Sequence, residues 1–125
     1  MGQVLKRKHH SLLVWQEAME LVQEIYNVTA LFPKEEVYAL TNQMRRAAVS
    51  VPSNIAEGAA RTGKKEFLQF LSIARGSLSE LETQILISDK LGYLSVKKSL
   101  LEKVDKVFGL LGGLINSLRK EADKK

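Results

Sequence analysis

Cysteine is absent from this 125-residue chain, which excludes disulfides and thiolate metal sites and suits a reducing cytoplasm. Histidine is nearly absent: the only two, His9 and His10, are adjacent in a basic N-terminal stretch. Metal-binding bundles bring a Glu-x-x-His pair from each of two helices, and that spacing does not occur, so no metal and no cofactor are expected. A serine hydrolase needs a positioned base and an oxyanion site, and a phosphate loop needs a Gly-Lys-Ser/Thr ending. Neither pattern is found, and no enzymatic activity is expected. Long apolar runs are also missing, the longest being a few residues against the ~20 that span a bilayer. The basic start from Met1 to Lys8 is not followed by an apolar core and cleavage site, so a secretory signal is not expected. Together these absences predict a soluble, cytoplasmic protein of one domain.

What the chain does have is helical periodicity. Val14, Ala18, Leu21, Val22, Ile25 and Val28 recur at steps of three and four, predicting a first helix over about 12–31 with Ser11 as its cap. Trp15, Met19 and Tyr26 lie on an adjoining face, an apolar arc wide enough for contact on two sides. Phe32-Pro33 stops this helix, because a residue before proline resists helical angles. Val37, Leu40, Met44, Ala47, Val51 and Ile55 mark a second helix over about 35–60, with Glu35 and Glu36 in its first turn. Thr62 is positioned to cap a third helix over about 64–90, whose stripe is Phe67, Leu71, Ala74, Leu78, Leu81 and Ile85. Gly76 and Ser77 leave a low spot there that the small residues near Gly58 could match. Gly92 suits the left-handed residue that closes a helix.

Ser95 reads as the cap of a fourth helix over about 96–119, with Leu100 or Leu101, Val104, Val107, Leu111, Leu114 and Leu118 buried. Three glycines in that helix, Gly109, Gly112 and Gly113, point to unusually close packing, since each otherwise weakens a helix by up to ~1 kcal/mol. A charged tail covers about 120–125. The predicted fold is all-α: an antiparallel up-and-down four-helix bundle.

The segment from Met44 to Arg61 departs from a plain helix. Pro52 removes a backbone donor and crowds the carbonyl of Ala48, which predicts a kink in the second helix. Ser50, Ser53 and Asn54 could bond the freed carbonyls. The run Ser50-Val51-Pro52-Ser53-Asn54-Ile55-Ala56-Glu57-Gly58, preceded by Gln43 to Arg46, resembles the signature of the four-helix-bundle proteins encoded in intervening sequences of 23S ribosomal RNA genes. Within it Ser50, Pro52, Asn54, Glu57 and Gly58 form the structural signature. Val14-Trp15-Gln16, Phe32-Pro33-Lys34-Glu35-Glu36, Ala74 to Glu82 and Leu91-Gly92-Tyr93-Leu94 follow in the family's order, so the resemblance spans roughly Leu12 to Leu118. That family is similar to the accessory variability determinants of diversity-generating retroelements. The resemblance therefore implies a homo-oligomer, a pentamer in those relatives, that associates with nucleic acid and a reverse transcriptase.

The formal charge of +5 favours acidic partners without naming one. Lys6, Arg7 and Lys8 form a basic arm over residues 1–10. Arg45 and Arg46 project from the second helix, and Arg61, Lys64 and Lys65 gather at the turn into the third. Arranged on one face of an oligomer, these eight residues would make a phosphate-dominated RNA- or DNA-binding surface. Trp15, Tyr26, Tyr38 and Tyr93 could stack on bases, although such residues at helical spacing read first as core or interface. Glu57, close to Arg61, reads as part of an ordering network rather than as a catalytic acid. The leading expectation is a non-enzymatic, homo-oligomeric RNA-binding bundle. The alternative is a protein-interaction scaffold with no nucleic-acid role.

Overall fold

The computed structural model describes residues 7–123. A short 3-10 helix over Lys8–Ser11 leads into α1 (Leu13–Thr29), and a second one, Lys34–Glu36, precedes α2 (Leu40–Ala59); α3 (Lys64–Lys90) and α4 (Lys97–Asp123) complete the chain. No strand occurs among the described residues. Each helix packs on the next and α4 closes back on α1, with the most extensive contact between α2 and α3. Cross-helix pairs fix the directions. Met44 near the start of α2 meets Ser88 near the end of α3, and Lys64 at the start of α3 pairs with Glu121 near the end of α4. The molecule is an all-α, up-and-down four-helix bundle, as the spacing of its apolar residues predicts.

The core is built from the stripes of all four helices. Leu21 and Ile25 of α1, Met44, Val51 and Ile55 of α2, Leu71, Leu78, Leu81 and Ile85 of α3, and Leu100, Val104 and Leu111 of α4 are almost fully buried. Burying a side chain of this size contributes roughly 1.5–3 kcal/mol. In α4 the buried residue of the penultimate turn is Ile115 rather than Leu114, which is only half-buried. Of the Leu100 and Leu101 pair, Leu100 faces inward.

The entry to α2 differs from the expected one. Residues 37–39 form a turn, Ala39 leaves helical angles at φ −125 and ψ −107, and Val37 is 46% exposed. Glu35 and Glu36 therefore precede the helix. Glu36 still serves its N-terminus, because its Oε1 accepts the Leu40 N–H at 3.4 Å while its Oε2 accepts the Tyr93 hydroxyl at 2.9 Å. One carboxylate thus ties the α1–α2 connection to the α3–α4 connection. The hydrogen bond that the Tyr93 hydroxyl donates to Glu36, with burial and the nearby Glu36 and Glu35 charges, raises the Tyr93 pKa.

The other caps also differ. Leu12, not Ser11, precedes α1, and Gly63, not Thr62, precedes α3, neither with a side-chain cap. Gly92 does take the left-handed conformation, at φ +80.

Pro52 is buried inside a helical run that continues from Leu40 to Ala59. Asn54 donates to the Ser50 carbonyl at 2.8 Å and to the Ser50 hydroxyl at 2.9 Å. The carbonyl it serves is thus that of Ser50, not that of Ala48. The Ser50 hydroxyl in turn lies 2.8 Å from that of Ser77, linking α2 to α3.

The glycines do not pack as expected. Gly58 is covered by Phe67 and Phe70, while Gly76, the proposed counterpart, has open space around its Cβ position. Gly109, Gly112 and Gly113 likewise have nothing within 4 Å of theirs, so these three glycines make no close helix approach.

Candidate nucleic-acid interface

The basic residues named from sequence fall into two groups at different heights of the bundle. Arg45 and Arg46 lie in the second turn of α2, whereas Arg61, Lys64 and Lys65 lie at its far end, about 20 Å away at 1.5 Å per residue. Lys8 belongs with the second group, because its Nζ sits 5.4 Å from the Phe67 ring centroid. Arg7 is exposed in the same N-terminal stretch. Lys6 lies outside the described residues. One subunit therefore offers two basic regions rather than a single face.

Two members of the second group are neutralised. Arg61 pairs with Glu57 at 3.0 Å and Glu66 at 3.8 Å and lies 5.0 Å from the Phe70 centroid, and Lys64 pairs with Glu121 at 3.2 Å. Lys65 is exposed and enters no ion pair among the described residues. Surface pairs of this kind are worth little to stability, but they cancel charge that a phosphate would otherwise meet.

Arg45 and Arg46 differ although they are neighbours. Arg45 is half-buried: its Nε donates to Thr29 Oγ1 at 2.9 Å, its Nη2 to the Tyr26 carbonyl at 3.4 Å, and the guanidinium lies 4.5 Å from the Tyr26 ring centroid. The Tyr26 carbonyl already accepts the Ala30 N–H at 3.1 Å, so Arg45 adds a second bond there and brings a cation to the negative end of the α1 dipole. Arg46 is exposed and enters no ion pair among the described residues. It stands on a ridge between two open clefts. One, of about 500 Å³, is lined by Tyr26, Asn42, Arg45, Arg46, Val49 and Ser50; the other, of about 320 Å³, includes Gln43, Ser50, Ser77 and Glu80. Asn42 was not among the residues singled out from sequence. Its signal is positional, since 42, 45, 46 and 49 share one helix face.

An uncovered apolar groove runs beside this site. Trp15, Met19 and Val22 of α1 and Val49, Pro52 and Ala56 of α2, with His9 and Ser53, enclose about 350 Å³; Met19 is 46% and Val49 39% exposed. His9 and His10 pack against Trp15, with ring centroids 5.0 and 5.3 Å away. Burial, with the neighbouring His10 and Arg7 charges, lowers the His9 pKa.

A charge cluster between α1 and α4 was not read from sequence. Lys103 lies 3.9, 3.6 and 3.2 Å from Glu17, Glu20 and Glu24, and Lys106 lies 3.4 Å from Glu17. Burial opposes the charge on Lys103, but the hydrogen bond it donates to Glu24 and the three carboxylates outweigh it and raise its pKa. The signal was available as acidic residues at 17, 20 and 24 on one helix face and lysines at 103 and 106 on another. No described helix is long and apolar enough to cross a membrane.

The family model described as 23S rRNA-intervening sequence protein matches residues 10–113. No curated protein matches the chain. Among solved structures the chain is similar to a protein of unknown function from the S23 ribosomal protein family of Bacteroides thetaiotaomicron. The TM-score is 0.77 at 20% identity, with 83% of this chain and 96% of that one covered. At that identity the likeness concerns the fold.

Proposed function

Because the chain belongs to the 23S rRNA-intervening sequence protein family, we propose that it is a non-enzymatic, self-associating helical bundle that contacts RNA through its Arg45–Arg46 face. The observation that carries this reading is Arg46, an exposed guanidinium with no acidic partner among the described residues, beside a second guanidinium held in place by α1. The family name adds a link to ribosomal RNA genes. Self-association is supported by the groove of Trp15, Met19, Val22, Val49, Pro52 and Ala56. Apolar surface that collects on one side of a subunit is the kind that another subunit covers. That groove borders the arginine site through Val49, so copies joined there would place several Arg46 side chains on one assembly. Each weak phosphate contact would then reinforce the others.

The test is RNA affinity across a salt series, for wild type and for Arg46→Gln. Phosphate contacts make log affinity fall linearly with log salt, and losing one contact per bound subunit flattens the slope by about one. A steep wild-type slope that flattens in the variant supports the reading; no RNA binding overturns it. The groove also favours a second reading, a protein-interaction scaffold without a nucleic-acid role, which that negative result would leave standing.

A further inference from the structure

We infer that the cleft beside Arg45 is a seat for one unpaired nucleobase of RNA, with the Arg45 guanidinium as the stacking surface and Arg46 as the phosphate anchor. This deepens the RNA-binding reading and rests on it.

Arg45 is fixed on three sides: by Thr29 Oγ1 at 2.9 Å, by the Tyr26 carbonyl at 3.4 Å and by the Tyr26 ring at 4.5 Å. A guanidinium held over an aromatic ring offers its other face to a third flat group, and unpaired RNA bases stack on arginine planes as they do on aromatic rings. A long arginine side chain normally loses much rotational freedom when it binds, but that of Arg45 is already ordered.

The rest of the lining matches a base better than a bare phosphate. Tyr26 is 42% and Val49 39% exposed, giving the cleft an apolar wall that a phosphate does not need. Asn42 supplies an amide that both donates and accepts, and Ser50 a hydroxyl, the groups that read base edges. The volume of about 500 Å³ lies within the range of sites that enclose small ligands. Arg46 stands at the same cleft as Arg45, so a base against Arg45 can have its phosphate at Arg46. Arg61 also lies over a ring, that of Phe70 at 5.0 Å, but its charge is taken by Glu57 and Glu66.

A base inside a duplex cannot enter such a seat without leaving its stack. The arrangement therefore selects single strands, loops or bulges. The test measures the affinity of the full-length protein for a single-stranded RNA and for a blunt duplex of the same length. Tyr26→Leu removes the ring beneath Arg45, and Asn42→Ala removes the amide from an exposed helix position, where a substitution is expected to change stability little. In both variants the ratio of single-strand to duplex affinity is expected to fall about tenfold, within the range for one stacked base. In Arg46→Gln that ratio is expected to stay near the wild-type value while both affinities drop. An unchanged ratio in Asn42→Ala and Tyr26→Leu, with RNA binding intact, overturns the base seat and leaves a phosphate-only RNA site. Absence of binding to either RNA overturns this inference and the broader reading together.

Discussion

A Cβ placed on Gly58 would lie 2.7 Å from the Cβ of Phe70 and 2.9 Å from Cδ1 of Phe67, so α2 and α3 approach here to a distance that only glycine permits. Phe70 Cβ moves only with its own backbone, and relief would require the two helices to separate. Gly58→Ala is therefore expected to destabilise the bundle by about 1–3 kcal/mol despite alanine's better helix propensity. The same change at Gly109, where nothing lies within 4 Å, is expected to stabilise by up to about 1 kcal/mol. Urea unfolding of both variants checks the opposite signs. A loss of stability at Gly109 would mean that another surface covers α4 in solution.

Arg45 and Arg46 are expected to separate stability from binding. Arg45→Gln gives up bonds from a charged group to Thr29 and the Tyr26 carbonyl, a loss of about 1–3 kcal/mol. Arg46→Gln removes an exposed charge and should stay within about 0.5 kcal/mol of wild type. Thermal unfolding distinguishes them, and equal losses would contradict the different roles given to these neighbours.

These contrasts mark what the sequence could and could not reveal. Steps of three and four placed Leu21, Met44, Leu78 and Val104 in the core because burial in a helix repeats with the helical turn. Val37 has the correct spacing yet lies in a turn, since periodicity does not register that Ala39 leaves helical angles. Leu114 and Ile115 are adjacent and equally apolar, and only the rotation of α4 selects Ile115. In the candidate site, the arginine pair was visible as charge, but its division of labour was not. Thr29, which anchors Arg45, is 16 residues away in sequence, and Glu121, which neutralises Lys64, lies on the last helix. Pairings across the bundle depend on which faces meet, information carried by the assembled fold.

Thr41 presents the reverse case, a buried hydroxyl with no hydrogen-bond partner among the described residues. An unpaired buried hydroxyl is costly, and Thr41→Val keeps the shape while removing it. Stability is expected to rise by about 1 kcal/mol, read as a higher urea midpoint. A fall would show that the hydroxyl has a partner in solution.

The Lys103 cluster predicts alkaline sensitivity. Its folded pKa is raised above the ordinary value of 10.5, so its contribution is complete below that value and is lost as pH rises through the folded pKa. Urea midpoints measured from about pH 10 to about pH 12 should fall more steeply in wild type than in Lys103→Met, although the variant is less stable at neutral pH. Tyr93, raised in the same direction by Glu36, titrates in both proteins and cancels from the difference. Parallel curves would contradict the role of Lys103.

The most direct test of the whole account couples assembly to RNA binding by placing charge in the groove with Met19→Glu, at an exposed position that lines the groove and not the arginine cleft. Light scattering gives the mass of each species, and the same samples are titrated with RNA. The account expects an oligomeric wild type that binds RNA and a folded, monomeric variant whose affinity drops at least tenfold because the Arg46 side chains no longer act together. A wild-type protein that is already monomeric, or a monomeric variant that binds RNA as tightly as wild type, would contradict it.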